Sequence, residues 1–166
     1  MTDDDRLETA WEAIVGDFPL VDPQDSGPAA LAGLYERLVG LFAGLGVEDA
    51  ATRVRMPADL LRFLALAGGT RRRGDEYGLY LFGPATVASQ TAQDSGLFAE
   101  HRPVESGLWL TIGSYGDKHV ITLCCDADDA RFGVVVDGHD DHPWNDGGGN
   151  VPWADSFTGL LTDLGA

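Results

Sequence analysis

The chain has 166 residues, 44% of them hydrophobic, enough to bury a core and few enough that one domain over residues 1–166 is expected. Its 27 acidic against 11 basic side chains give a formal charge of -16, which argues against nucleic acid as a ligand, because clustered Lys and Arg hold a phosphate backbone. No apolar run approaches the ~20 residues of a membrane helix, and the start Thr2-Asp3-Asp4-Asp5 lacks the regions of a secretory signal, so a soluble, cytoplasmic protein without membrane contact is expected.

Asp3, Asp4 and Asp5 place acid at a helix start, and Leu7, Trp11, Ile14 and Val15 recur at helical spacing up to Gly16. Phe18 to Gly27, with two prolines and Ser26-Gly27, reads as a connecting loop. A second helix starts at Pro28, carries Leu31, Leu34, Tyr35, Leu38, Val39 and Phe42 on one stripe, and ends at Gly44 and Gly46. Pro57 starts a third, with Leu60, Leu61, Phe63, Leu64 and Leu66 buried and a stop at Gly68-Gly69. Arg71, Arg72 and Arg73 read as a solvated turn. Tyr77 to Phe82 reads as a strand closed by Gly83-Pro84, and residues 85–98 as a short helix with Val87 inward.

The pattern then becomes β, with strands over Leu108 to Ile112, Val120 to Leu123 and Phe132 to Val136, and with Gly113 and Gly133 at strand ends or turns. Turns this short favour antiparallel neighbours. Cys124 and Cys125 are adjacent on a strand, so their side chains face opposite ways and lack metal-ligand spacing; one reads as buried and the other as incidental. His139 to Asn150 is a long polar loop containing Gly147-Gly148-Gly149. Pro152-Trp153 leads to a last helix with Phe157, Leu160, Leu161 and Leu164 on its apolar face. Helices concentrated in the N-terminal third, strands late and one closing helix describe an α+β fold.

Charge is uneven: residues 1–50 net -9, 51–100 net +1 and 101–166 net -8. His139, Asp140, Asp141 and His142 have ligand chemistry, but their loop setting lacks the i, i+4 histidines and intervening glutamate of a zinc hydrolase. Asp126, Asp128 and Asp129 lack the glycine and distal glutamate of a calcium loop and read as a solvated turn. Ser114 follows Gly113 directly and precedes a strand, unlike a nucleophile elbow, and the triple glycine lacks a phosphate-loop lysine. No catalytic set, metal or cofactor is expected. Trp109 reads as inward and Trp153 as a lid over the sheet. The nominated partner surface is Asp137, Asp140, Asp141 and Asp146 with Trp144 as aromatic anchor; an alternative is the first helix through Asp3 to Asp5, Glu8 and Glu12.

Met56-Pro57-Ala58-Asp59-Leu60-Leu61-Arg62-Phe63-Leu64 with Gly68-Gly69 resembles the Leu-Pro, helix, Asn-Gly segment of the SUKH superfamily of Smi-Knr-like domains. Trp109 to Gly113, Gly116-Asp117, Asp126 and Gly133-Val134-Val135 are similar to its strand, glycine-turn, strand core, and Ala154-Asp155-Ser156-Phe157 with Leu160-Leu161 to its closing Ser-Phe helix. The resemblance covers about residues 47–164, after a helical part over about 1–46. Met56 in place of leucine, Gly69, and the charged stretch from Arg71 to Asp75 depart from the pattern. The resemblance implies a mixed, mostly antiparallel sheet packed by helices. It also implies a bacterial immunity protein that neutralises a cognate toxin, such as a nuclease, whose cationic surface an acidic binder would complement. The alternatives are a housekeeping regulatory or scaffold domain of the same fold, and a metal-dependent hydrolase using His139 to His142.

Overall fold

The computed structural model describes residues 2–18, 20–22, 28–71, 78–97, 107–116, 119–139 and 151–166. In chain order they form α1 (Asp3–Ile14), β1 (Leu20–Asp22), α2 (Pro28–Gly44), α3 (Ala50–Arg53), α4 (Ala58–Leu66), β2 (Gly69–Arg71), β3 (Tyr80–Leu81), α5 (Pro84–Leu97), β4 (Trp109–Tyr115), β5 (His119–Cys124), β6 (Val135–His139), β7 (Val151–Ala154) and α6 (Phe157–Leu164). The strands lie side by side in sequence order, and every described pairing is antiparallel. The fold is α+β, as the element order indicates. No described helix is long and apolar enough to cross a membrane.

Local sequence explains the principal helices. Thr2 opens α1 with a capping box: its hydroxyl accepts from Asp5 N at 3.2 Å while Asp5 Oδ2 accepts from Thr2 N at 2.8 Å. Leu7, Ala10 and Ile14 then face the core, as do Leu34, Leu38 and Phe42 of α2 and Leu60, Phe63 and Leu64 of α4. Ser156 caps α6 by accepting from Gly159 N at 3.0 Å. Asp59 at the start of α4 reaches the same end of α6, its Oδ2 accepting from Thr158 N at 2.9 Å and Thr158 Oγ1 at 3.2 Å. A carboxylate at a helix N-terminus also meets the positive end of the helix dipole.

These helices share one cluster. Phe63 meets the Trp11 ring edge-on at 5.2 Å and the Phe157 ring at 4.8 Å, tying α1, α4 and α6 together. The sheet joins through alternate residues: Leu108, Leu110 and Ile112, then Ile121, Leu123 and Val135. The intervening Trp109, Cys124 and Val136 form a second, small cluster with Val134. Trp109 is therefore buried, but away from the main core, under the Arg131 guanidinium 5.1 Å above its ring.

Several expectations are corrected. The segment read as a loop after α1 contains β1; α4 stops before Gly68-Gly69 as expected, but Gly69–Arg71 form β2 where a turn was expected at Arg71, with Arg72 and Arg73 outside the described residues; β1 and β2 pair across about fifty residues of chain. Three-residue strands have no periodicity of their own, and long-range pairing creates them. Of the strand expected over 77–82, only Tyr80–Leu81 is strand among the described residues, Tyr77 lying outside them, and the helix expected over 85–98 is α5. Cys124 and Cys125 do face opposite ways, one in each cluster, but both are fully buried.

Gly113 does not end a strand. It lies inside β4 at a register shift, where an added Cβ would stand 2.3 Å from Tyr80 O, so only glycine lets β3 approach. The turn comes at Gly116, whose φ of 60° favours glycine. On the α5 side of β4, Thr111 N donates to Thr91 Oγ1 at 3.0 Å and Thr111 Oγ1 to Asp94 Oδ2 at 2.5 Å. Helix side chains thus continue where the short β3 stops. β6 starts at Val135 rather than Phe132, which lies in the preceding turn.

Candidate functional site

The β4–β5 turn brings Tyr115 and His119 directly opposite each other, and β6 places Asp137 beside them. The two rings stack with centroids 4.6 Å apart and planes 20° from parallel. Both point polar atoms at one carboxylate: Tyr115 OH donates to Asp137 Oδ2, and His119 Nδ1 lies 3.1 Å from Asp137 Oδ1. Burial, then the Asp137 hydrogen bond, raises the Tyr115 phenol well above its ordinary value. Trp153 meets Tyr115 edge-on at 5.6 Å and packs against the main core. This agrees with its reading as a lid.

Trp153 reaches that position through a local irregularity. β6 and β7 pair Val135 with Ala154 and Val136 with Pro152, leaving Trp153 as the extra residue of a bulge. Pro152, with no N–H, lies on the same strand, the last of the sheet. A proline and a bulge on an edge strand discourage a further strand from adding to the ladder. Beyond β7 toward α6 lies a cleft of about 390 Å³, lined by Pro152, Trp153, Asp155, Gly159, Thr162 and Asp163 among others.

Of the nominated surface, Asp137 is half-buried and already bonded, so it contributes a fixed carboxylate within an aromatic platform. Asp140, Asp141, Trp144 and Asp146 lie outside the described residues, as does His142. The backbone of His139 ends β6 opposite His119. Among the described residues no three His, Cys, Asp or Glu side chains gather as metal ligands.

The acidic turn after β5 is not simply solvated. Asp126 is buried and holds Arg53 in a two-pronged pair, with Nε at 3.3 Å and Nη2 at 2.5 Å, while Val54 bridges to it through the backbone. Asp129 accepts from Arg131 Nε at 2.9 Å and Nη2 at 2.7 Å, and that guanidinium holds its carboxyl below the usual range. Asp128 alone of the three is exposed. This turn fixes α3 to the sheet and holds the Arg131 guanidinium over the Trp109 ring.

Sequence reasoning missed Tyr115 and His119. The available signal was a short turn around Gly116 flanked by two aromatic rings, a cross-strand pair once Gly113 is placed inside the strand. No protein-family model matches the chain, and no curated protein matches it.

Proposed function

We propose that this chain is a non-catalytic acidic binding protein of the cytoplasm, an immunity protein of SUKH type that neutralises a cognate toxin with a basic surface, a nuclease being a fitting class. The observation that supports this best is where the positive charges go. Arg53, Arg62 and Arg131 pair with Asp126, Glu8 and Asp129, and Arg6 lies 3.9 Å from Asp3. Arg37 donates to Gly33 O, and Arg55 to the carbonyls of Ala51 and Val54. Every arginine whose side chain is described is thus engaged within the chain.

The acids are in surplus, and Asp4, Glu12, Glu36, Asp155 and Asp163 are exposed. A net charge of -16 steers a basic protein toward this surface and repels nucleic acid, so the chain competes with a nucleic-acid substrate rather than binding it. The rigid Tyr115, His119, Asp137 and Trp153 platform adds aromatic area with little conformational freedom to lose, a property of binding hot spots.

The test is co-expression with a toxin encoded beside this gene, together with complex formation across a salt series. Rescue of growth and association that slows as salt rises are expected. Absence of both rescue and complex overturns the proposal, and salt-insensitive association removes the role given to charge.

A further inference from the structure

The depression around α6 has two limbs that share Ser156, Gly159 and Thr162. One runs between α6 and β7 over about 390 Å³; the other, about 680 Å³, runs between α6 and α1 past Ala10, Ala13 and Leu161. At the shared part Gly159 lets α6 lie close against the end of β7: a Cβ there would stand 3.3 Å from both Ala154 Cβ and Ser156 Oγ. The two limbs differ in chemistry. The α1 limb is lined by Ala10, Ala13 and Leu161, and its lining arginine, Arg6, lies 3.9 Å from Asp3. The β7 limb is lined by the exposed Asp155 and Asp163 together with Trp153, and among the described residues neither carboxylate has a cation partner.

The geometry points to this depression as the docking surface for one basic segment of the partner protein, an Arg or Lys side chain entering the β7 limb and an aliphatic neighbour lying in the α1 limb. It rests on the reading of the chain as a binder of a basic protein and names the surface used. Charge complementarity chooses the occupant, because Asp155 and Asp163, exposed and without a described cation, line the β7 limb and suit a guanidinium or ammonium group. A second copy of this chain would bring the same carboxylates against its own excess of acid. Pro152 and the Trp153 bulge discourage strand addition, so recognition runs through side chains.

A blocked leucine–arginine peptide is the probe, with a leucine–glutamate peptide as control and the amide and indole resonances of the whole chain as readout. The arginine peptide should shift Gly159, Thr162 and the Trp153 indole. The double variant Asp155→Asn, Asp163→Asn should lose about tenfold in affinity, since it removes two charges near the bound cation. Shifts confined to α1, an equal response to the glutamate peptide, or undiminished binding by the double variant overturn the assignment. Self-association through this face, lost in the same variant, overturns it in favour of a second copy.

The two proposals separate in the co-expression assay. If the wild-type chain rescues and Asp155→Lys with Asp163→Lys rescues equally, this surface is wrong while the binding function stands. If the peptide binds here but no toxin is neutralised, the surface stands and the immunity reading falls.

Discussion

The turn after β5 and the surface around α6 are both rich in aspartate, yet they use it in opposite ways. In the turn, Asp126 and Asp129 each grip an arginine, and Asp126 is all but sealed from water. Beside α6, Asp155 and Asp163 stand exposed with no described cation. The difference teaches that a carboxylate's role is set by the donors brought to it: the same residue type is a rivet where a guanidinium meets it in low dielectric and an open negative charge where none does.

Breaking the first region should have the largest effect. Asp126→Ala leaves Arg53 facing a buried gap, so a loss of about 3 kcal/mol is expected, short of the most deeply buried pairs because Arg53 is a quarter exposed. By thermal denaturation that is a fall of roughly 6 to 12 °C at this chain length; a fall under about 2 °C would show that the pair is ornamental. Partner binding, measured per folded molecule, should be unchanged. Asp59→Ala removes the reach from α4 to the start of α6 and should cost about 1 kcal/mol in denaturant unfolding.

The aromatic platform offers a pH test. The Tyr115 phenol is raised in the folded chain, so the folded state binds that proton more tightly than the unfolded state does. Its contribution is fully present below the unfolded value of about 10 and is lost as pH rises from there through the folded value. Tyr115→Phe should flatten the alkaline limb of the stability profile and leave the limb near neutrality unchanged in slope. An equally steep alkaline limb in both proteins would assign the effect elsewhere.

The smallest stability effect is expected where the binding effect is largest. Asp155→Asn with Asp163→Asn should move stability by no more than about 0.5 kcal/mol, as exposed positions do. The buried cysteines sharpen the same contrast between covered and open groups. Burial pushes the Cys124 thiol up to about 11, and Cys125 is sealed from solvent, so neither should react with a thiol reagent at neutral pH until the chain unfolds. Rapid labelling of the native chain would contradict their placement.

The legible parts of the fold were those with internal periodicity. α2, α4 and α6 carry apolar stripes, although Leu66, expected buried, is exposed, and β4 and β5 are apolar-rich runs of seven and six residues buried along most of their length. β1, β2 and β7 have three or four residues each and exist because a partner strand lies alongside, so no local signal announces them. The same limit governs the site. Asp137 was visible as an acid after a strand, but its bonds to Tyr115 and His119 depend on strand register. The pair between Arg53 and Asp126 spans 73 positions, beyond any local pattern. Trp153 was readable as a lid; that it is a bulge residue was not.

The clasp between α1 and α6 sets a schedule for biosynthesis. Leu7, Ala10 and Ile14 share their cluster with Leu160 and Leu161, and a Cβ on Gly165 would come within 3.1 Å of Ile14 Cγ2. While the ribosome is still making β7, the apolar side of α1 lacks that cover and remains exposed to chaperones or to neighbouring nascent chains. The depression beside α6 comes into being in the same late step, so a half-made chain lacks the surface proposed for docking.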